Sequence, residues 1–311
     1  MKMTADKIRK LVTDTIVAAL EAGTNPWQRP WTGTAGSAMP HNCITGHEYR
    51  GINVPYLWVV QDAKGYSTAQ WLTFKQCKKA GGHVRKGEKS TMVVFTKPIF
   101  IKDDNDPGNE EKKRKIFMLR TFPVFNIEQT EDAKLPKREQ PMEEDDIVPA
   151  DELIIDNTLS FMKDAGATVK FNGGRAFYAP TTDHIEVPKP ERFKSAEGFA
   201  ATGLHELVHW TGHKDRLARV GITGFTSFGS EDYAFEELVA EIGAAMLCNI
   251  HGVSSEMPNH ASYVQSWIKA LKNDHSLIFK ASRLSAFAVE FLIPELAEKR
   301  KKEQEEYQEA A

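Results

Sequence analysis

Two histidines and a glutamate stand in the order His205-Glu206-Leu207-Val208-His209. If the stretch is helical, residues four apart lie one above the other on a single face. His205 and His209 then aim two imidazoles at one point, a pair of nitrogen donors for a divalent metal such as Zn2+. Catalytic zinc takes three protein ligands and keeps a position open for water. Glu206 sits beside the pair, placed to take the proton of a water that the metal acidifies.

The segment Glu236-Glu237-Leu238-Val239-Ala240-Glu241 offers the third ligand. Glu237 and Glu241 are four apart and share a helical face. We expect Glu237 to bind the metal and Glu241 to support a ligating imidazole through a hydrogen bond. A rival is written in His209-x-x-Gly212-x-x-Asp215, where a turn at the glycine would return Asp215 as an oxygen ligand. His213, four beyond His209, is expected at the surface, or otherwise beside a ligand or facing substrate. Tyr178, Asp183 and Tyr233 are the remaining polar candidates. A tyrosine can donate to an oxyanion, and an aspartate just before a strand can orient an imidazole or a substrate amine.

Two helices must carry this set. Ser195 can cap one that runs through His209 and stops near Gly212. Ser230 can cap the next, with Glu231 and Asp232 in its first turn and a stripe of Phe235, Leu238, Val239, Ile242 and Met246. Upstream, residues 151–165 have helical spacing. Three short strand candidates follow, at Thr168–Phe171, Ala176–Tyr178 and His184–Val187. One or two further helices pass through Trp267 and Leu284–Leu292. A charged tail, residues 298–311, is expected to fray.

The first half reads differently. Thr4 can cap a helix reaching Glu21. Asn53–Val60 is helix or strand, and periodicity does not decide which. Ala69–Ala80 is expected as a helix with Trp71, Phe74 and Cys77 on one face. Ser90–Phe100 and Phe117–Asn126 are paired strands joined by a solvated tip of mixed charge, Asp103–Lys115. Residues 128–150 are polar, acidic and without apolar periodicity, and read as a linker. The sequence therefore predicts an α+β protein of two domains, 1–127 and 151–297, joined by 128–150 and ending in the 298–311 tail.

Residues 1–100 carry 14 Lys and Arg against 6 Asp and Glu, so that a net of +8 there leaves −11 for the remainder of a chain whose total is −3. Such asymmetry suggests that the first half meets a polyanion. It also holds four of the six tryptophans. Single-stranded DNA calls for this mixture, with cations along phosphates and rings stacked on unpaired bases. The candidate contacts are Trp27, Arg29, Trp31, Tyr49, Arg50, Trp71, Lys75, Arg85, Lys86 and Lys89. An ordinary core under a positive surface is the competing reading, since aromatics at helical spacing are usually buried.

The three cysteines, Cys43, Cys77 and Cys248, form neither a disulfide framework nor a Cys-x-x-Cys metal knuckle. No apolar run approaches the ~20 residues that span a bilayer. We expect a cytoplasmic protein with no membrane partner.

Taken together, these motifs resemble the ArdC-type antirestriction proteins of conjugative plasmids and related mobile elements. In the first half the resemblance rests on Asn25-Pro26-Trp27, Tyr49-Arg50-Gly51-Ile52-Asn53, Trp71-Leu72-Thr73-Phe74-Lys75-Gln76 and Gly82-His83-Val84-Arg85-Lys86-Gly87-Glu88. In the second half it rests on His205–His213 and on Tyr233–Glu241. It implies an N-terminal domain that binds single-stranded DNA and a C-terminal zincin-like metallopeptidase domain with a glutamate as third ligand, which matches Glu237. It also implies protection of incoming DNA from host restriction, and leaves the protein substrate open, host restriction machinery included. Two other classes remain: a DNA-binding protector with a silent metal domain, and a primase or transfer accessory protein.

Overall fold

The computed structural model describes residues 4–27, 39–102, 113–136, 151–224, 231–255 and 261–309. The first half begins with α1 (Ala5–Glu21), β1 (His41–Asn42) and α2 (Asn53–Lys64), followed by β2 (Gln70–Leu72), α3 (Phe74–Lys79) and β3 (His83–Val84). The long strands β4 (Thr91–Lys102) and β5 (Lys113–Asn126) and the short β6 (Thr130–Glu131) complete it. The second half has α4 (Asp151–Asp164), β7 (Val169–Phe171), β8 (Phe177–Ala179) and β9 (His184–Val187), then α5 (Ala196–Thr211) and α6 (Val220–Thr223). It ends with α7 (Glu231–Ile250), α8 (Ala261–Asn273), α9 (Leu277–Leu292) and α10 (Pro294–Glu309). The architecture is α+β. A sheet in the order β1-β2-β5-β4 dominates the first half, and a small sheet β7-β9-β8 lies in the second.

Three expectations change. The expected helix 69–80 divides: Trp71 lies on β2, paired with Asn126, and the helix begins only after Thr73. The cause is local. Thr73 and Gln76 form a capping box, which starts a helix at Phe74 and leaves the preceding residues extended. The expected fraying tail is the continuation of α10, which is helical from Pro294 to Glu309. Residues 128–135, expected within the linker, are folded onto the first half. Glu128 accepts hydrogen bonds from the backbones of Ser67 and Thr68, and β6 pairs with β3. Residues 137–150, most of the Asp103–Lys115 tip and Ser230 lie outside the described residues.

The two halves share apolar packing. Ile8, Val12 and Ile16 of α1 belong to the same buried cluster as Leu204, Val239, Trp267 and Leu271. Thr13 donates to the backbone oxygen of His275, and Arg50 bonds the Leu296 oxygen and pairs with Glu290.

Helices α5 and α7 pack closely for a specific reason. A Cβ placed on Gly243 of α7 would meet both γ-carbons of Val208 at 3.0 Å. Glycine there lets α7 approach α5, and that approach sets the acidic residues of α7 against the imidazoles of α5.

Candidate metal centre

Ser195 caps α5 by accepting from the backbone N–H of Gly198, and Gly212 ends it. Between them, the helical spacing puts His205 and His209 on one face, with Nε2 atoms 3.1 Å apart. Glu237 of α7 faces both: Oε2 is 3.6 Å from Nε2 of His205, and Oε1 is 3.4 Å from Nε2 of His209. One donor atom from each of the three lies within 4.8 Å of the others, and all three residues are buried.

Glu236 decides what these nitrogens can do. Its Oε1 lies 3.2 Å from Nδ1 of His209. A carboxylate only accepts, so Nδ1 carries a hydrogen and Nε2 is left to hold either a proton or a metal ion at the cluster. Imidazole lone pairs and a carboxylate converging on one point need a proton or a cation between them. A tetrahedral zinc with nitrogens at ~2.0–2.1 Å would hold them roughly 3.3 Å apart, close to the spacing observed. The donor set fits a divalent ion.

The surroundings are strongly polarised. Burial alone would push His209 down, but its hydrogen bonds to Glu236 and Glu237 reverse this and lift it to about 10. His205 is likewise raised, with burial opposed by its hydrogen bond to Glu237. Against the effect of burial, both histidines hold the Glu237 carboxyl well below the usual carboxylate range. Glu206 is displaced the other way. Burial keeps its carboxyl above the usual range, despite the pull of His205 and His209 and a hydrogen bond with the Tyr178 backbone.

Glu236 is anchored by Arg219, which sequence reasoning missed. The Arg219 guanidinium is buried, bonds Oε1 of Glu236 at 2.7 Å, and donates to the Thr211 hydroxyl and the Val208 carbonyl. It thereby ties the chain after α5 to both α5 and α7. Nothing in the sequence distinguishes this arginine from a surface one. The only hint at Glu236 was its position beside Glu237.

The other expected residues take different places. Glu241 is buried, but the His209 ring bonds Glu236 and not Glu241. Among the described residues neither Oε2 of Glu241 nor Nδ1 of His205 has a hydrogen-bond partner. Asp215 is exposed and 3.5 Å from His213, outside the triad. Tyr178 donates to Asp183 at 2.8 Å, and Arg216 bonds both while lying 3.7 Å over the Trp210 ring. The Arg216 hydrogen bond holds Asp183 down to about 2. Tyr233 adjoins the centre: burial, then the Glu237 charge, push its phenol up.

In the first half, Trp27, Tyr49 and Trp71 are buried, and their rings pack inside the molecule instead of facing solvent. Trp27 meets Trp267 edge to face at 5.7 Å. Lys75, Arg85, Lys86 and Lys89 are exposed, while Arg50 is engaged by Glu290. Arg29 and Trp31 lie outside the described residues. Among the described residues no helix is long and apolar enough to cross a membrane.

Residues 156–284 match a family described as zincin-like metallopeptidase, and residues 6–125 match the N-terminal domain of anti-restriction factor ArdC. The chain is similar to the antirestriction ArdC protein from the R388 plasmid. The metal-free crystal structure of that protein aligns with a TM-score of 0.74 at 40% identity, covering 91% of this chain and 96% of that one. Its Mn(II)-bound structure aligns with a TM-score of 0.72. The chain is also 35% identical to the uncharacterized protein y4eC of Sinorhizobium fredii, over 90% of this chain and 89% of that protein. Two Escherichia coli proteins named DNA primase TraC are 37% and 36% identical over 88% and 87% of this chain, which spans only 19% and 25% of their lengths.

Proposed function

This chain belongs to the ArdC antirestriction family, and on that premise we propose that it binds single-stranded DNA and protects incoming DNA of a mobile element from host restriction, using a zinc-dependent peptidase centre. The observation that carries the peptidase reading is the convergence of His205, His209 and Glu237 with Glu206 beside them. In this reading His205, His209 and Glu237 are the ligands. A divalent ion held there, zinc by preference, would supply Lewis acidity to an amide carbonyl and to a water.

The chain's own groups do the rest. Glu236 fixes the His209 tautomer, so that Nε2 faces the centre. Glu206 takes the proton of the attacking water and returns it to the leaving amine. Its carboxyl, kept above the usual range by burial, suits a group that must hold a proton between the two steps. Tyr233, beside Glu237, is placed to donate a hydrogen bond to developing negative charge. The first half, residues 1–136, holds DNA through exposed cations that include Lys75, Arg85, Lys86 and Lys89. The second half acts on proteins met at that DNA in the cytoplasm, host restriction components among them.

The deciding experiment compares wild type with Glu206→Ala, which removes the proton carrier and spares the ligands. Protection of transferred DNA in a restricting host should be lost, while metal content and DNA binding are kept. Full protection by Glu206→Ala would overturn the peptidase reading and leave a protector that acts by binding alone. The TraC similarity supports a second reading, an accessory role in DNA transfer, for which an effect on strand transfer in an unrestricting host is the test.

A further inference from the structure

The β4–β5 hairpin carries a surface that the metal centre does not use. Its register sets Val93 opposite Phe122, Phe95 opposite Arg120 and Lys97 opposite Met118. Opposed residues of an antiparallel pair share a face, as do residues two apart on one strand. Val93, Phe95, Met118, Arg120, Phe122 and Val124 therefore belong to one side of the ribbon. Close to the body this side is core, with Val93 and Val124 buried among Tyr49, Leu57 and Trp71. Farther along it becomes open surface that stays apolar. Phe95 is 46% exposed, and Phe122 and Met118 are 39% exposed each. The two phenylalanine rings meet edge to face at 5.2 Å, and Arg120, also exposed, shares their side.

Charge says what covers these rings. The strands together contain six Lys and Arg and no Asp or Glu. A second copy of the chain laid on this ribbon would set cations against cations. A polyanion is the complementary occupant, and exposed ring faces beside Arg120 suit unpaired bases, whose π-faces are free to stack. A duplex keeps its bases stacked on one another and offers these rings nothing but its backbone.

We propose that the Phe95–Arg120–Phe122 side of the hairpin is the base-stacking platform for single-stranded DNA. The inference rests on the reading that the first half binds such DNA. It moves the ring contacts from Trp27, Tyr49 and Trp71, which are buried, to rings that solvent reaches.

The test uses the full chain, a labelled oligothymidine of about 20 nucleotides and a duplex of the same length, with anisotropy read over a range of salt. Phe95→Ala/Phe122→Ala should weaken single-strand binding on the order of 10-fold or more and leave duplex binding unmoved. Tyrosine at both positions should restore binding, and Arg120→Ala should lower the salt slope by about one. Both phenylalanines are exposed, and an unchanged melting temperature checks that the double variant is folded. If wild type binds no single strand, the reading of the first half falls, and the platform with it. If wild type binds and the double alanine variant binds equally, only the platform falls. An equal loss on duplex overturns stacking, and a change of oligomeric state without a change in DNA binding identifies a self-association face instead.

Discussion

Oε1 of Glu236 lies 3.2 Å from Nδ1 of His209 and 2.7 Å from the guanidinium of Arg219. One buried carboxylate thus orients the His209 imidazole on one side and neutralises a buried cation on the other. Removing either member of the Arg219–Glu236 pair strands a charge away from water. Arg219→Met and Glu236→Leu should each destabilise the fold by ~3–5 kcal/mol. The double variant, which strands neither charge, should recover most of that loss in a denaturant melt. It still lacks the acceptor for Nδ1, so its metal affinity should fall roughly 10–100-fold in competition with a chelating dye. Recovery of both stability and affinity would show that Glu236 is structural alone.

The third ligand can be tested directly. Glu237 faces both imidazoles, whereas the Asp215 side chain is 74% exposed and turned to His213. Glu237→Ala should lose bound metal on dialysis, and Asp215→Ala should retain it, both read by elemental analysis. Retention in the first and loss in the second would return the ligand role to Asp215.

Glu241 sets a pH dependence in the metal-free protein. Burial raises its carboxyl from 4.5 to about 7. In the unfolded chain this group ionises first, so stability is full below about 4.5, falls as pH rises toward 7, and stays at the lower level above it. Glu241→Gln cannot ionise. It should match wild type at acid pH and exceed it at pH 8 by on the order of 1–3 kcal/mol. Thermal melts at the two pH values decide the matter, and a stabilisation that is the same at both would contradict it.

The parts of the site legible in the sequence were those fixed by helical geometry alone. Spacing of four put His205 and His209 on one face of α5, and Glu237 and Glu241 on one face of α7. Three acids within six residues could not be ranked in the same way. Successive residues turn by about 100°, and only the angle between α5 and α7 decides that Glu236 reaches Nδ1 while Glu241 does not. Arg219 was illegible because burial of a cation depends on a partner brought in from another helix. The tryptophans gave the opposite difficulty. Composition counts rings without saying which face water, and Trp27 and Trp71 are core. The strand at Trp71 did have a local signal, the Thr73–Gln76 capping box, which marks a helix start at Phe74, three residues later.

Gly243 controls the site without touching it. Its missing side chain admits Val208, whose γ-carbons would sit 3.0 Å from an added Cβ. In a helix, glycine costs roughly 1 kcal/mol relative to alanine, so Gly243→Ala gains propensity while forcing α5 and α7 apart by a few tenths of an ångström. Overpacking typically costs ~1–3 kcal/mol, and the displacement falls on the distance between Glu237 and the two imidazoles. We expect Gly243→Ala to lower metal affinity with little net change in melting temperature, and Gly243→Val to lower both. Adding Val208→Ala to Gly243→Ala removes the collision and keeps the propensity gain. That double variant should recover wild-type metal affinity. If affinity stays low in it, the helix separation set by this contact is not what positions Glu237.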